Sequence, residues 1–142
     1  MEYAPTVWDP YRLMDINNIE NVQRRSARYV FNRYRSQSSV TEMLQKLNWK
    51  TLAQRRKEAR LAMLYKISEH LVSIDNDKYL KPPNRFTRHM HCKTYQVPKF
   101  KTDYRKESFF PRTIKDWNNL SSDIVSADTL DIFRAKVANS QE

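Results

Sequence analysis

TLAQRRKEARLAMLYKISEHLV, residues 51–72, is the stretch whose reading decides the fold. Thr51 followed three residues later by Gln54 makes a capping box, in which a hydroxyl and an amide satisfy the first orphan N–H groups of a helix. Leu52, Ala59, Ala62, Met63, Leu64, Ile67 and Leu71 then recur at helical spacing. The pattern predicts one long helix from about Thr51 to about Val72, the central element of a mainly α fold.

Upstream, Ile16, Ile19, Val22, Ala27 and Val30 follow a helical repeat and predict an amphipathic helix from about Leu13 to Phe31, packed against the long one. Between the two, Ser39 with Glu42 forms another capping box. Val40, Met43, Leu44 and Leu47 line one side of a short helix there, and Asn48 is its expected stop, because Asn tolerates a left-handed backbone. Downstream, residues 75–80 allow one further turn, ended by Pro82 and Pro83. Residues 84–106 show no helical period, and residues 94–97 and 104–110 allow a short β-hairpin. Pro111 opens a helical turn through Trp117, and a last helix is expected over residues 126–138 with Leu130, Phe133 and Val137 inward. The expectation is a single domain over residues 1–142: a helical part to residue 80, a basic loop or hairpin segment over 81–116 that wraps the long helix, and a C-terminal helix over 117–142.

Composition narrows the function classes. The chain has 142 residues, 39% hydrophobic and 30% charged, a soluble globular balance with a lean core. It contains no glycine, so the phosphate-cradling loops, left-handed turns and nucleophile elbows that rely on glycine are not expected, and nucleotide-binding fingerprints are excluded. The single Cys92 cannot form an internal disulfide, no apolar run approaches a membrane span, and no signal-peptide pattern follows Met1. An intracellular protein, nuclear or cytoplasmic, with no membrane contact is the expectation.

The formal net charge is +10, and it is segregated. Residues 23–35 carry Arg24, Arg25, Arg28, Arg33 and Arg35 with no acid; residues 46–60 add Lys46, Lys50, Arg55, Arg56, Lys57 and Arg60 against Glu58. Residues 81–116 hold ten basic groups against Asp103, Glu107 and Asp116, and the remaining segments are net acidic. A solvating helix face normally alternates its signs; a run of unopposed arginines is better explained by an anionic partner. Between residues 85 and 112, Phe86, Tyr95, Phe100 and Tyr104 are interleaved with Arg85, Arg88, Lys93, Lys99, Lys101, Arg105, Lys106 and Arg112. Cations can track a phosphate backbone while rings stack on unpaired bases. For any one ring, anchoring the loop to the core is the simpler role, and Phe109, Phe110 and Trp117 look like core anchors.

Other chemistry has little to build on. His89, His91 and Cys92 are the only candidate metal cluster, but zinc takes ligands from two separated pairs, and only the distant His70 remains; a polar, partly exposed loop is expected instead. The acids are scattered, with Asp75 and Asp77 close together on a turn and no Asp-Asp pair. Two-metal phosphoryl transfer and local nucleophilic triads therefore lack their groups, and neither catalysis nor a cofactor is expected.

Four strings in order, EYAPTVWDPY at the start, VQRRSAR, LNWKTLAQRR leading to ARLAMLYKI, and SFFPRTIKDWNNL, carry a resemblance. Together they resemble the region after the catalytic palm in reverse transcriptases of non-LTR (LINE-type) retrotransposons, particularly jockey-like elements, over nearly the whole chain. The resemblance implies thumb-like helices and a C-terminal extension that help hold template RNA and nascent DNA, in a parent RNA-directed DNA polymerase whose Tyr-Ala-Asp-Asp type motif and endonuclease have no counterpart here. It implies a fragment of a transposable element and assigns nucleic-acid contact to Arg24, Arg25, Arg28, Arg55, Arg56 and Arg112. Asn48 stands where similar sequences have Gly, and Ser121 where they have Pro, departures that also fit drift in a transposon relic.

The expected function is sequence-independent RNA or DNA binding without catalysis, through the basic residues named above. Two alternatives stand beside it: a helical protein-interaction module whose aromatics near Tyr3 and Trp8 dock on the missing palm, and a non-functional relic.

Overall fold

The computed structural model describes residues 4–7, 9–34, 39–85, 87–88 and 90–140. It is mainly helical, and no strand occurs among the described residues. Two compact units divide the chain between residues 56 and 57, inside the long helix.

The first unit contains α1 (Leu13–Val30), α2 (Val40–Lys46) and the start of α3 (Leu52–Ser68). α1 turns Gln23 and Ala27 inward, one turn apart, with Ile16 and Ile19 half-buried beside them, and packs against α2, whose Met43 is buried. The hydroxyl caps form as the sequence predicts: Ser39 Oγ accepts from the Glu42 N–H at 3.3 Å, and Thr51 Oγ1 from the Gln54 N–H at 3.2 Å. α3 has a second, tertiary cap, because Glu20 Oε1 on α1 accepts from the Ala53 N–H at 2.7 Å. α1 thus meets α3 at its first turn.

Left-handed turns form without glycine, at Asn48 as expected of it and also at Asn32 and His70, which were not foreseen. Asn32, Asn48 and His70 take φ of 50°, 52° and 55° at the ends of α1, α2 and α3. Each closes the same motif: Arg33, Trp49 and Leu71 donate their N–H groups to the carbonyls of Arg28, Leu44 and Lys66 at 3.0, 2.9 and 2.8 Å. Asn is the usual substitute for Gly in this conformation, whereas His70 is additionally approached by Asn76 Nδ2 at 3.3 Å. This motif ends α3 at Ser68, short of the expected Val72, and leaves Leu71 exposed.

The second unit holds most of α3, then α4 (Asn76–Tyr79), α5 (Asp103–Lys106), α6 (Phe109–Asn118), α7 (Ser122–Val125) and α8 (Leu130–Asn139). Its core joins Leu61, Leu64, Tyr65 and Ile67 of α3 to Ile114, Trp117, Ile124, Val125, Phe133 and Val137. Tyr65 stacks on Phe133 at 4.7 Å and donates its hydroxyl to the Ala127 carbonyl at 2.8 Å. Phe109 and Phe110 pack against this core as anchors, and Phe110 also stacks on Tyr79 at 4.2 Å.

The hairpin allowed by the sequence is absent among the described residues. Asp103–Lys106 is a helical turn, and α6 begins at Phe109, so the run of aromatic and β-prone residues from Tyr104 to Phe110 is divided between two helices. Pro111 sits in the first turn of α6, where its missing N–H has no helical partner to lose. α8 begins four residues later than residue 126, after the unforeseen α7, with Thr129 as its cap.

Candidate nucleic-acid interface

In the first unit, Arg24, Arg25 and Arg28 lie within little more than one turn of α1, and the inward pull of Gln23 and Ala27 keeps them on the outer faces. Arg24 and Arg25 are exposed; Arg28 is half-buried. No carboxylate among the described residues pairs with Arg24 or Arg25. Arg33 is exposed just beyond Asn32, and Arg35 lies outside the described residues.

Arg56 departs from its expected role. It is 6% exposed, with Nε 3.3 Å from Asp9 Oδ1 and Nη2 3.9 Å from Glu20 Oε1, and so serves as an interior ion-pair partner. Its neighbour Arg55 is half-buried and lines a groove with Val22, Gln23, Ser26, Trp49 and Leu52.

In the second unit, residues 91–95 are stapled to α6. His91 is buried, its Nε2 3.2 Å from the Trp117 carbonyl oxygen. Trp117 Nε1 donates to the Lys93 carbonyl at 2.8 Å, and the Asn118 side chain both accepts from the Tyr95 N–H and donates to its carbonyl. Tyr95 therefore anchors the loop, 6.4 Å from the Trp117 ring. This corrects the expectation of a polar, partly exposed loop at His91, although Cys92 is exposed; His89 lies outside the described residues. No group of three His, Cys, Asp or Glu side chains able to hold a metal ion occurs among the described residues.

Lys93 also leaves the expected set. Its ammonium is ion-paired with Glu69; burial opposes its charge, yet the hydrogen bond and the charge of Glu69 raise its pKa above the ordinary lysine value. Arg112 is half-buried with Nε 4.0 Å from Glu107 Oε2. Arg60, basic in sequence, is likewise interior, its Nη2 2.8 Å from Asp116 Oδ2.

What remains outward is a compact stretch. Beyond the staple at Tyr95 the chain runs out without regular structure, and Lys99, Phe100 and Lys101 are exposed, followed by Tyr104, Arg105 and Lys106 on α5. Tyr104 is 78% exposed and Phe100 41%, so these two rings do not anchor the loop. Arg85 and Arg88 are also exposed, whereas Phe86 lies outside the described residues. Lys106, outside the expected site set, joins the stretch by its exposure beside Arg105.

Comparison with protein-family models, with curated proteins and with solved structures gives no match to this chain. The case for function therefore rests on chemistry. Of the twelve cations expected to form the interface, Arg56, Lys93 and Arg112 face carboxylates, while Arg24, Arg25, Arg85, Arg88, Lys99, Lys101 and Arg105 are exposed. Asp75 and Asp77, the only neighbouring acids of note in the sequence, serve α4: Asp75 Oδ1 accepts from the Asp77 N–H at 3.1 Å.

Proposed function

We propose that this chain is a non-catalytic module that binds single-stranded RNA or DNA without sequence preference, a reading in keeping with its resemblance to the region after the palm that helps hold template RNA and nascent DNA. One observation carries the reading. Two exposed rings, Phe100 and Tyr104, stand among four exposed cations, Lys99, Lys101, Arg105 and Lys106, in eight residues. Exposed tyrosine and phenylalanine have a solvation cost that base stacking removes, at about 1–3 kcal/mol per base, while the flanking charges follow the phosphates. The arginines of α1 supply a second cationic face of the same kind.

Fluorescence anisotropy with a labelled single-stranded oligonucleotide across a salt series tests this. Affinity should fall with a log–log slope of about −0.7 for each phosphate neutralised. Replacing Lys101 and Arg105 by Ala should flatten that slope by about 1.4. Absence of binding at low salt, or binding indifferent to salt, would overturn the proposal.

A second reading is favoured by α1, where Leu13, Met14, Tyr29 and Val30 are all exposed beside a thin core. They form two apolar patches, one at each end of α1, open to contact with a polymerase palm. Sedimentation of the chain with such a palm domain, and its loss in Leu13→Glu/Tyr29→Glu, would distinguish this role; Tyr3 and Trp8, the aromatics first considered for it, lie outside the described residues.

A further inference from the structure

Thr102 lies inside the exposed cationic stretch, with Lys99 and Lys101 before it and Arg105 and Lys106 after it. Its side chain is exposed and makes no capping hydrogen bond, although its carbonyl accepts from the Lys106 N–H at 3.1 Å. Other hydroxyls of this region are engaged or enclosed. Thr94 is buried and donates to the His91 carbonyl, Ser108 donates to the Arg105 carbonyl, and Thr113 is buried in α6. The backbone at Thr102 is extended, with φ −113° and ψ 140°, and residues 96–102 form neither helix nor strand.

We propose that Thr102 is a phosphorylation site for a basophilic protein kinase, and that the phosphate weakens the binding of single strands. The second half of this rests on the nucleic-acid reading above; the first does not. A kinase of this class takes its acceptor in an extended segment and sets acidic groups of its own against cations that precede the hydroxyl. Residues 96–102 meet both needs, with Lys99 and Lys101 ahead of the acceptor and no regular element to unfold. Kinases that read proline directly after the acceptor, or an acid three positions beyond it, find Asp103 and Arg105 there instead. In the transfer, Thr102 Oγ1 bonds to the γ-phosphorus of ATP, the bond from that phosphorus to its bridging oxygen breaks, ADP leaves, and the hydroxyl proton passes to a kinase carboxylate. The product adds a charge of about −2 to a stretch of four cations, enough to offset about half of them. Cations that neutralise a phosphate of their own chain are withdrawn from the phosphates of a strand.

The full chain is incubated with magnesium, ATP and the catalytic domain of protein kinase C, alongside Thr102→Ala. Tandem mass spectrometry should find phosphate on Thr102, and Lys99→Ala/Lys101→Ala should slow its uptake there severalfold. Thr102 left bare by the kinase overturns the site. Both treated chains are then titrated with the labelled oligonucleotide across the salt series. The phosphorylated chain should show a log–log slope flatter by about 1.4 than equally treated Thr102→Ala, as expected for two cations withdrawn. Untreated Thr102→Ala should bind as the native chain does. Equal slopes and affinities with and without phosphate on Thr102 overturn the switch but leave strand binding intact. An unmodified chain that binds no strand overturns the nucleic-acid reading and the switch with it, whatever the mass spectrum shows.

Discussion

Replacing Thr113 by valine should make the protein more stable, against the usual direction of core substitutions. Thr113 lies on α6 between Arg112 and Ile114, is 0% exposed, and its Oγ1 has no hydrogen-bond partner among the described residues. A buried hydroxyl without a partner forfeits about 1–3 kcal/mol of hydration. Valine keeps the branched shape, so no cavity opens and no rotamer is displaced, and its second methyl adds about 0.8 kcal/mol of apolar burial. Taking the lower end of the hydroxyl term, because unfolded chains bury some surface of their own, the gain is about 1–2 kcal/mol. Guanidinium denaturation followed by far-ultraviolet circular dichroism should show a higher midpoint with an unchanged slope, and thermal unfolding a rise of several degrees. Thr113→Ser, which keeps the hydroxyl and removes the methyl, should move the other way by about 1 kcal/mol. A valine variant no more stable than the native chain would refute the reasoning, since it would mean that the hydroxyl finds a partner in solution.

Two further expectations concern the same scaffold. Stability should decline above about pH 10: burial, then the charge of Glu69, raises the Tyr65 pKa, and Glu69 holds that of Lys93 up against the opposing effect of burial. Groups whose pKa rises on folding contribute fully below their unfolded values and lose that contribution as pH climbs through the folded ones; denaturation midpoints that stay level to pH 11.5 would contradict this. Asn48→Ala should cost about 1 kcal/mol because alanine is strained at φ 52°, whereas Asn48→Gly should be neutral or slightly stabilising; equal loss in both, measured by urea denaturation, would show that the side chain and not the backbone matters there.

The helices were legible wherever a local signal was complete. Ser39 with Glu42 and Thr51 with Gln54 announce their caps within four residues, and Leu130, Phe133 and Val137 mark the inner side of α8 by spacing alone. α5 was not legible: Tyr104 has strand character, but Thr102 and Asp103 start a helical turn, and Phe109 is drawn into α6 by the core beneath it. The candidate interface was only partly legible for a related reason. Sequence shows where cations lie, yet Arg56 meets Asp9 across 47 positions and Arg60 meets Asp116 across 56, pairings that no local pattern signals. Conversely, Gln23 sits at an inward position of α1, and a lone amide among apolar positions was the available hint of the groove.

Glu20 couples two decisions that are usually separate. Its carboxylate accepts from the Ala53 amide, 33 residues away, and lies near the Arg56 guanidinium one turn farther along α3. Helix initiation is the costly step of helix growth, and here part of that cost is met from another helix. The opening turn of α3 is therefore secured by the arrival of α1 as well as by its own Thr51. Slow hydrogen exchange at Ala53 would accordingly report the docking of α1, not merely the presence of α3.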